Sequence, residues 1–337
     1  MIGKKDALLV LMGFTLFAFA IERVGWTVLL QAIEQARVGL AMILGLSLIR
    51  LILQTRSWSI ALRSDGIESH GAELMFIRLA SQGIGYLSVL GPAASEPMKI
   101  RLLRRSGGEQ STVAAATLVD TGVYWFVSAL VGIAGCMAAA LLLAQSRRSL
   151  VPVAIVGLTL AVTLYLIARP TSRLSPLVKT FGDRCPGWLE KARRVEIALR
   201  EFARRHPSTI RKMLLLDTAC QLLLLAEIVA FFYCLKIPLR VTTVLGVEGV
   251  TRGIKILAGW MPARIGADES GVTGAFLAFG LSPASGFTLA LARRVRDFLA
   301  ALIGLTWLAS SAHSHKIAVQ TSKTSYLLKE PPTCKLY

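Results

Sequence analysis

Two stretches of this chain, Thr121–Ala144 and Leu150–Ala168, contain no charged residue. An α-helix rises about 1.5 Å per residue, so roughly 20 apolar residues cross the ~30 Å hydrocarbon core of a bilayer. In lipid such a run is stable only as a helix, because nothing there hydrogen-bonds an open backbone. The two stretches therefore predict an all-α polytopic membrane protein. Composition agrees: 54% of the 337 residues are hydrophobic and 17% are charged, against roughly a quarter charged in an ordinary soluble domain.

Further spans follow from the same test. Met213–Leu235 is long enough, although it holds Asp217 and Glu227. Asp217 lies near its cytoplasmic boundary and is expected to be solvated, whereas Glu227 lies deeper. Ala7–Ile21 and Val38–Leu53 are shorter and cross with tilt or local thinning. Ser285–Ser310 is apolar at both ends and carries Arg293, Arg294, Arg296 and Asp297 in its middle. About six full spans result, in a single transmembrane domain over residues 1–311. The start, with Lys4, Lys5 and Ala18-Phe19-Ala20, has the features of a cleavable signal, but a retained first span is the expectation. Residues 312–337 are polar and basic without periodicity and are expected to form a disordered cytoplasmic tail.

Lysine and arginine placement sets the orientation. The segment Arg169–Lys212 holds twelve Lys/Arg against four Asp/Glu, so it faces the cytoplasm. Both termini then lie inside, and the protein belongs in the cytoplasmic (inner) membrane. Within that loop Trp188, Ala192, Val195, Leu199 and Phe202 recur at helical spacing, with arginines on the other sides. Such a helix lies on the inner leaflet or packs against the protein's own spans. The net charge of +18 reads as cytoplasmic loops and attraction to anionic lipid rather than nucleic-acid binding, since no aromatic-studded basic domain is present. Five scattered cysteines and four histidines make no metal-binding pattern. No metal or other cofactor is expected.

Two stretches do not read as simple spans. Ala72–Arg105 and Val241–Gly280 each have apolar arms joined by polar backbone rich in glycine and proline. Because Val38–Leu53 returns the chain to the cytoplasm and Lys99, Arg101, Arg104 and Arg105 belong there, Ala72–Pro97 enters and leaves on one side. It is a re-entrant hairpin. The second stretch follows an outward span and opens from outside by parity. Two broken elements of opposite orientation suggest an inverted repeat with a site at the membrane midplane.

The polar joints, "GPAASEPMKIRLLRR" leading into "STVAAATLVDTGVYWF", and "MPARIGADESG" followed by "FTLALARRVRDFLAALIGL", resemble the flippase-like membrane domain shared with lysylphosphatidylglycerol synthases and with uncharacterised inner-membrane proteins. The resemblance covers about residues 5 to 310. Ser95 stands where that family's pattern has glycine before Glu96, and Asp120 stands where it often has a Glu-Arg pair. Nothing here resembles the soluble aminoacyl-transferring domain. The resemblance therefore implies lipid handling, including flipping between leaflets, without lipid aminoacylation.

Charges inside a membrane are functional candidates because burying them unpaired is costly. Glu96 and Glu269 could hold a substrate amine, carry protons or brace their hairpins. Asp268 is a third acid, with helix capping as its alternative. Arg293 and Arg294 have the planar geometry to grip a lipid phosphate, or one of them pairs with Glu269. Lys99, Arg101 and Asp120 complete the first joint, and Arg264 the second. Arg78, Arg252 and Lys255 stand on the apolar arms as lesser candidates. Pro92, Pro97, Pro262 and Gly266 are the expected helix breakers. Three functions stay open: movement of a lipid or lipid-linked substrate through a charged cavity, chemical modification of head groups, or scaffolding of a lipid or glycan synthase, with a synthase or glycosyltransferase as partner.

Overall fold

The structure, a computed structural model, describes residues 37–68, 70–88, 92–103, 110–146, 201–202, 204–258, 261, 264 and 266–327. The expected spans Ala7–Ile21 and Leu150–Ala168, most of the loop 169–212, and Arg104, Arg105 and Pro262 lie outside these residues.

Eight helices and no strand occur among the described residues: α1 (Arg37–Ser64), α2 (Gly71–Leu87), α3 (Pro92–Leu103), α4 (Gln110–Ser146), α5 (Pro207–Cys234), α6 (Val241–Leu257), α7 (Ala267–Ala278) and α8 (Pro283–Leu327). Three of them contain runs long and apolar enough to cross a membrane, Val38–Ser64, Thr112–Leu143 and Pro207–Cys234. The first outruns the expected Val38–Leu53 because its polar end is covered: Gln54, Thr55, Ser57 and Ser59 are buried against protein. The helical backbone of α8 continues into the first part of the segment set apart above as a tail.

The chain repeats itself. Helix lengths run 28, 17, 12 and 37 residues in the first four, then 28, 17, 12 and 45 in the second four. α1 and α5, and likewise α2 and α6, start 170 residues apart; α4 and α8 start 173 apart. Matching positions do matching work. Just past α1 stands Gly66 and just past α5 stands Lys236, both with positive φ (75° and 54°). The same reverse bonds follow each, from Ile67 N–H to Leu62 and from Ile237 N–H to Phe232. One apolar core gathers Trp58, Leu62, Leu74, Ile77, Ala116 and Met213. The other gathers Ile228, Phe232, Val244, Val247, Leu289 and Ile43, the same positions in the other half.

The halves interlock antiparallel. Ser47 of α1 donates to Glu227 of α5 at 3.0 Å, and Ser57 donates to Asp217 at 3.5 Å. Residue number rises along one helix as it falls along the other. Ser47 matches Asp217 and Ser57 matches Glu227, so these two bonds are one contact made twice. Asp217 is therefore buried, 1% exposed, rather than solvated as expected from its place near a span end. Helices α4 and α6 cross where Gly135 meets Gly249, and α2 and α8 cross where Gly304 meets Leu79 and Ala80. A Cβ on Gly249 would stand 2.3 Å from Gly135, and one on Gly304 2.3 Å from Leu79. Only glycine lets these backbones come so near.

Both broken stretches are helix–break–helix elements. The first break falls between Leu87 and Pro92, and the second between Leu257 and Ala267. Pro92 opens α3, where its missing N–H costs nothing. Pro97 does not break the chain but lies inside α3. Gly266, at φ 79°, caps α7.

Candidate functional site

Between its contribution to one core at Ile43 and to the other at Trp58, α1 presents Arg50 and Gln54 to a cavity of about 310 Å³. The first half adds Arg78 and Tyr86 of α2 and Glu96 and Lys99 of α3. The second half supplies Lys255 of α6, Arg264 from the break before α7, and Arg296 and Asp297 of α8. Six cations and two carboxylates thus meet here. Thr121, Tyr124 and Trp125 of α4 complete one wall. Trp125 is 51% exposed and continues into the apolar outer face of α4, with Phe126 and Leu130, so the cavity's rim adjoins that face.

In the first half Arg78 donates to Asp120 at 2.9 Å and to the backbone carbonyl of Gln54; both charged side chains are buried. Lys99 donates to Glu96 at 2.8 Å, and Thr121 donates to the other oxygen of Glu96 at 2.8 Å. Trp58 lies beneath both cations, about 6 Å from each, and its indole N–H donates to Thr117.

The second half is denser. Arg293 donates to Glu248 at 3.2 Å, and Arg252 reaches the other oxygen of Glu248 at 3.0 Å. Arg252 also donates to Gln221 and to the carbonyl of Ser128. Arg296 bridges Glu227 at 2.6 Å and Asp297 at 2.9 Å. On a helix Arg293 and Arg296 share a side, so both approach Glu227, while Arg294 points elsewhere. Arg294 holds the fully buried Glu269, donating at 2.7 Å, and also meets the carbonyl of Arg264. Glu269 accepts the Gly266 N–H at 3.0 Å, bracing the start of α7. Arg264 carries a positive φ of 47°, pairs with Asp268 at 3.2 Å and stands over Tyr86. Non-glycine residues seldom adopt that backbone. Here it lets Arg264 reach the cavity from a broken segment.

Of the residues singled out from sequence, Glu96, Lys99 and Arg264 line the cavity, as do the lesser candidates Arg78 and Lys255. Asp120 and Asp268 stand behind the lining, paired with its Arg78 and Arg264, while Glu269, Arg293 and Arg294 form ion pairs away from it. Of the two proposed partners for Glu269, Arg294 is the one it has; Arg293 binds Glu248 instead. Arg101 is exposed on α3 and outside the lining. Sequence reasoning passed over Arg50, Glu248 and Asp297. Glu248 sits four residues before Arg252 on one helix, a spacing that signals a pair. Phe202 is buried beside Met213, as packing against the protein's own spans requires, and the rest of that expected helix lies outside the described residues apart from Glu201.

Comparisons with curated proteins and with solved structures gave no match. The family model described as "Lysylphosphatidylglycerol synthase TM region" matches residues 7–304, nearly the whole chain, and the protein belongs to that family of membrane domains linked to lipid handling.

Proposed function

We propose that the two halves form an inverted repeat across the cytoplasmic membrane and that the protein moves a lipid headgroup between leaflets through the cavity they enclose. The observation that carries this reading is where the cavity lies. The run Val38–Ser64 is 27 residues long, about 40 Å as a helix, and Arg50 falls near its middle. A cluster of charges at that depth is costly unless paired or wet, and membrane proteins keep such clusters for function. The rim at Trp125 adjoins an apolar face suited to acyl chains, so a headgroup can enter while its chains stay in lipid.

Antiparallel contact between matching helices supports the inverted arrangement, because α1 and α5 then cross the bilayer in opposite directions. In this reading α2–α3 and α6–α7 are re-entrant pairs from opposite faces, with their breaks enclosed by protein rather than lipid. The test is a leaflet-resolved assay. Purified protein in vesicles should exchange fluorescent-headgroup lipids between leaflets faster than empty vesicles do. Rates no faster than in empty vesicles, for each of several headgroups, would overturn the reading.

A further inference from the structure

The ion pairs of the cavity do not cancel evenly. Arg78 is neutralised by Asp120, Lys99 by Glu96, Arg264 by Asp268, and Arg296 by Glu227 and Asp297. Arg50 and Lys255 also line the cavity, and neither has an ion-pair partner among the described residues. The Nε of Arg50 is buried without a hydrogen-bond acceptor, as is the Nε of Arg78. One such cation without an ion pair comes from each half: Arg50 from the middle of α1, Lys255 from the last turn of α6.

A guanidinium at mid-span with no counterion is unfavourable, and no described residue supplies one. The geometry points to a ligand bearing a phosphate and a net negative charge, held between Arg50 and Lys255. Arginine offers two parallel donors to phosphate oxygens and lysine a compact charge, together matching one or two negative charges. Glu96 and Asp297 stay tied to Lys99 and Arg296 and leave no spare carboxylate in the lining for a headgroup amine. The cavity therefore favours anionic headgroups and disfavours net-cationic ones, such as lysyl-bearing lipids. This selectivity rests on the lipid-handling reading for its ligand source but not on movement between leaflets.

Binding can be measured without transport, by thermal unfolding and tryptophan fluorescence of the full chain in neutral detergent. The probes are short-chain phosphatidic acid and phosphatidylglycerol, short-chain phosphatidylcholine, a short-chain lysyl-bearing lipid, and glycerol phosphate. The anionic lipids should stabilise the protein and the other two lipids should not. Arg50→Gln and Lys255→Gln should each weaken anionic binding about tenfold or more, as loss of one charge-assisted contact does. Lys255→Arg should retain it. Arg56→Gln, an exposed charge on the same helix, should leave it unchanged. If Arg50→Gln fails to fold, Lys255→Gln carries the test alone. Equal binding of anionic and lysyl-bearing lipids, or of wild type and Lys255→Gln, overturns the inference. Glycerol phosphate binding as tightly as the lipids would make the source a soluble phosphate; much weaker binding makes it a lipid. Anionic binding without leaflet exchange would sink the transport proposal and leave this one standing. Exchange that ignores headgroup charge would do the reverse.

Discussion

At the same place in each half lies one buried ion pair, with its charges exchanged. Arg78 of α2 meets Asp120 of α4; at the matching positions Glu248 of α6 meets Arg293 of α8. The fold needs a pair between the broken helix and the long helix that follows, and either polarity serves. The surroundings differ. Asp120 keeps one oxygen without a partner. Glu248 binds two arginines, and nearby Glu227 is shared by Arg296, Ser47 and, at 4.0 Å, Arg293. The second pair is thus tied to further arginines and, through Glu227, to Ser47 of α1, while the first pair adds only the bond from Arg78 to the carbonyl of Gln54. If one broken element moves relative to the other during a cycle, the first is the freer.

The largest effects should come from the buried ion pairs. Asp120→Asn strands Arg78, which has no other carboxylate partner among the described residues, and should cost about 3–5 kcal/mol, the usual penalty for orphaning a buried charge. Glu227→Gln should cost less, because Arg296 keeps Asp297, and thermal unfolding of the two variants measures the difference. Equal losses would mean that the density of the second cluster adds nothing. Glu269→Gln should also lower folded yield, and adding Arg294→Gln should recover part of it. Adding Arg293→Gln instead should deepen the loss, because it breaks a different pair.

Next come the two helix crossings. Gly249→Ala and Gly304→Ala each push a methyl against backbone at 2.3 Å, and overpacking of this kind costs about 1–3 kcal/mol. The losses should be similar in the two halves, since the contacts correspond; a silent variant would show that one crossing is slack. Orientation sharpens the comparison without an energy. Single cysteines at Gly66 and Arg101 should label from the cytoplasm and one at Lys236 from outside. Labelling of Gly66 and Lys236 from the same side would remove the inverted repeat. The smallest effect concerns the matching helix ends. Lys236→Gly should stabilise by up to about 1 kcal/mol and Gly66→Ala should destabilise by a similar amount, because only glycine is free at positive φ.

The broken helices were legible because glycine and proline interrupt apolar runs at "GPAASEP" and "MPARIGADESG". Glu269 was legible as a buried acid in need of an arginine, and its choice between two neighbours was not, since that depends on helix rotation. Glu227–Arg296 and Arg78–Asp120 join residues 69 and 42 positions apart; no local pattern marks such pairs. Asp217 was misjudged for a related reason. Depth along a span says nothing about what another helix brings to its side, and Ser57 belongs to the opposite half. Arg50 was missed because it reads as an ordinary residue at the end of a shorter span, until α1 proves to run on to Ser64.

The crossings at Gly135–Gly249 and Gly304–Leu79 exchange arms: each half's short broken helix packs on the other half's long one. Each half's core is also completed by the other, at Met213 in one and Ile43 in the other. A single half-length chain would therefore be incomplete, and would become complete on meeting a copy of itself inserted upside down. Such a chain, weakly biased in its loop charges and able to enter the membrane either way, already contains every cross-half contact seen here except the ones that depend on a difference between the halves. In the inverted arrangement proposed above, fusion of two copies would then have fixed their orientations and freed them to diverge, leaving one half with shared carboxylates and the other with an unshared Arg78–Asp120 pair.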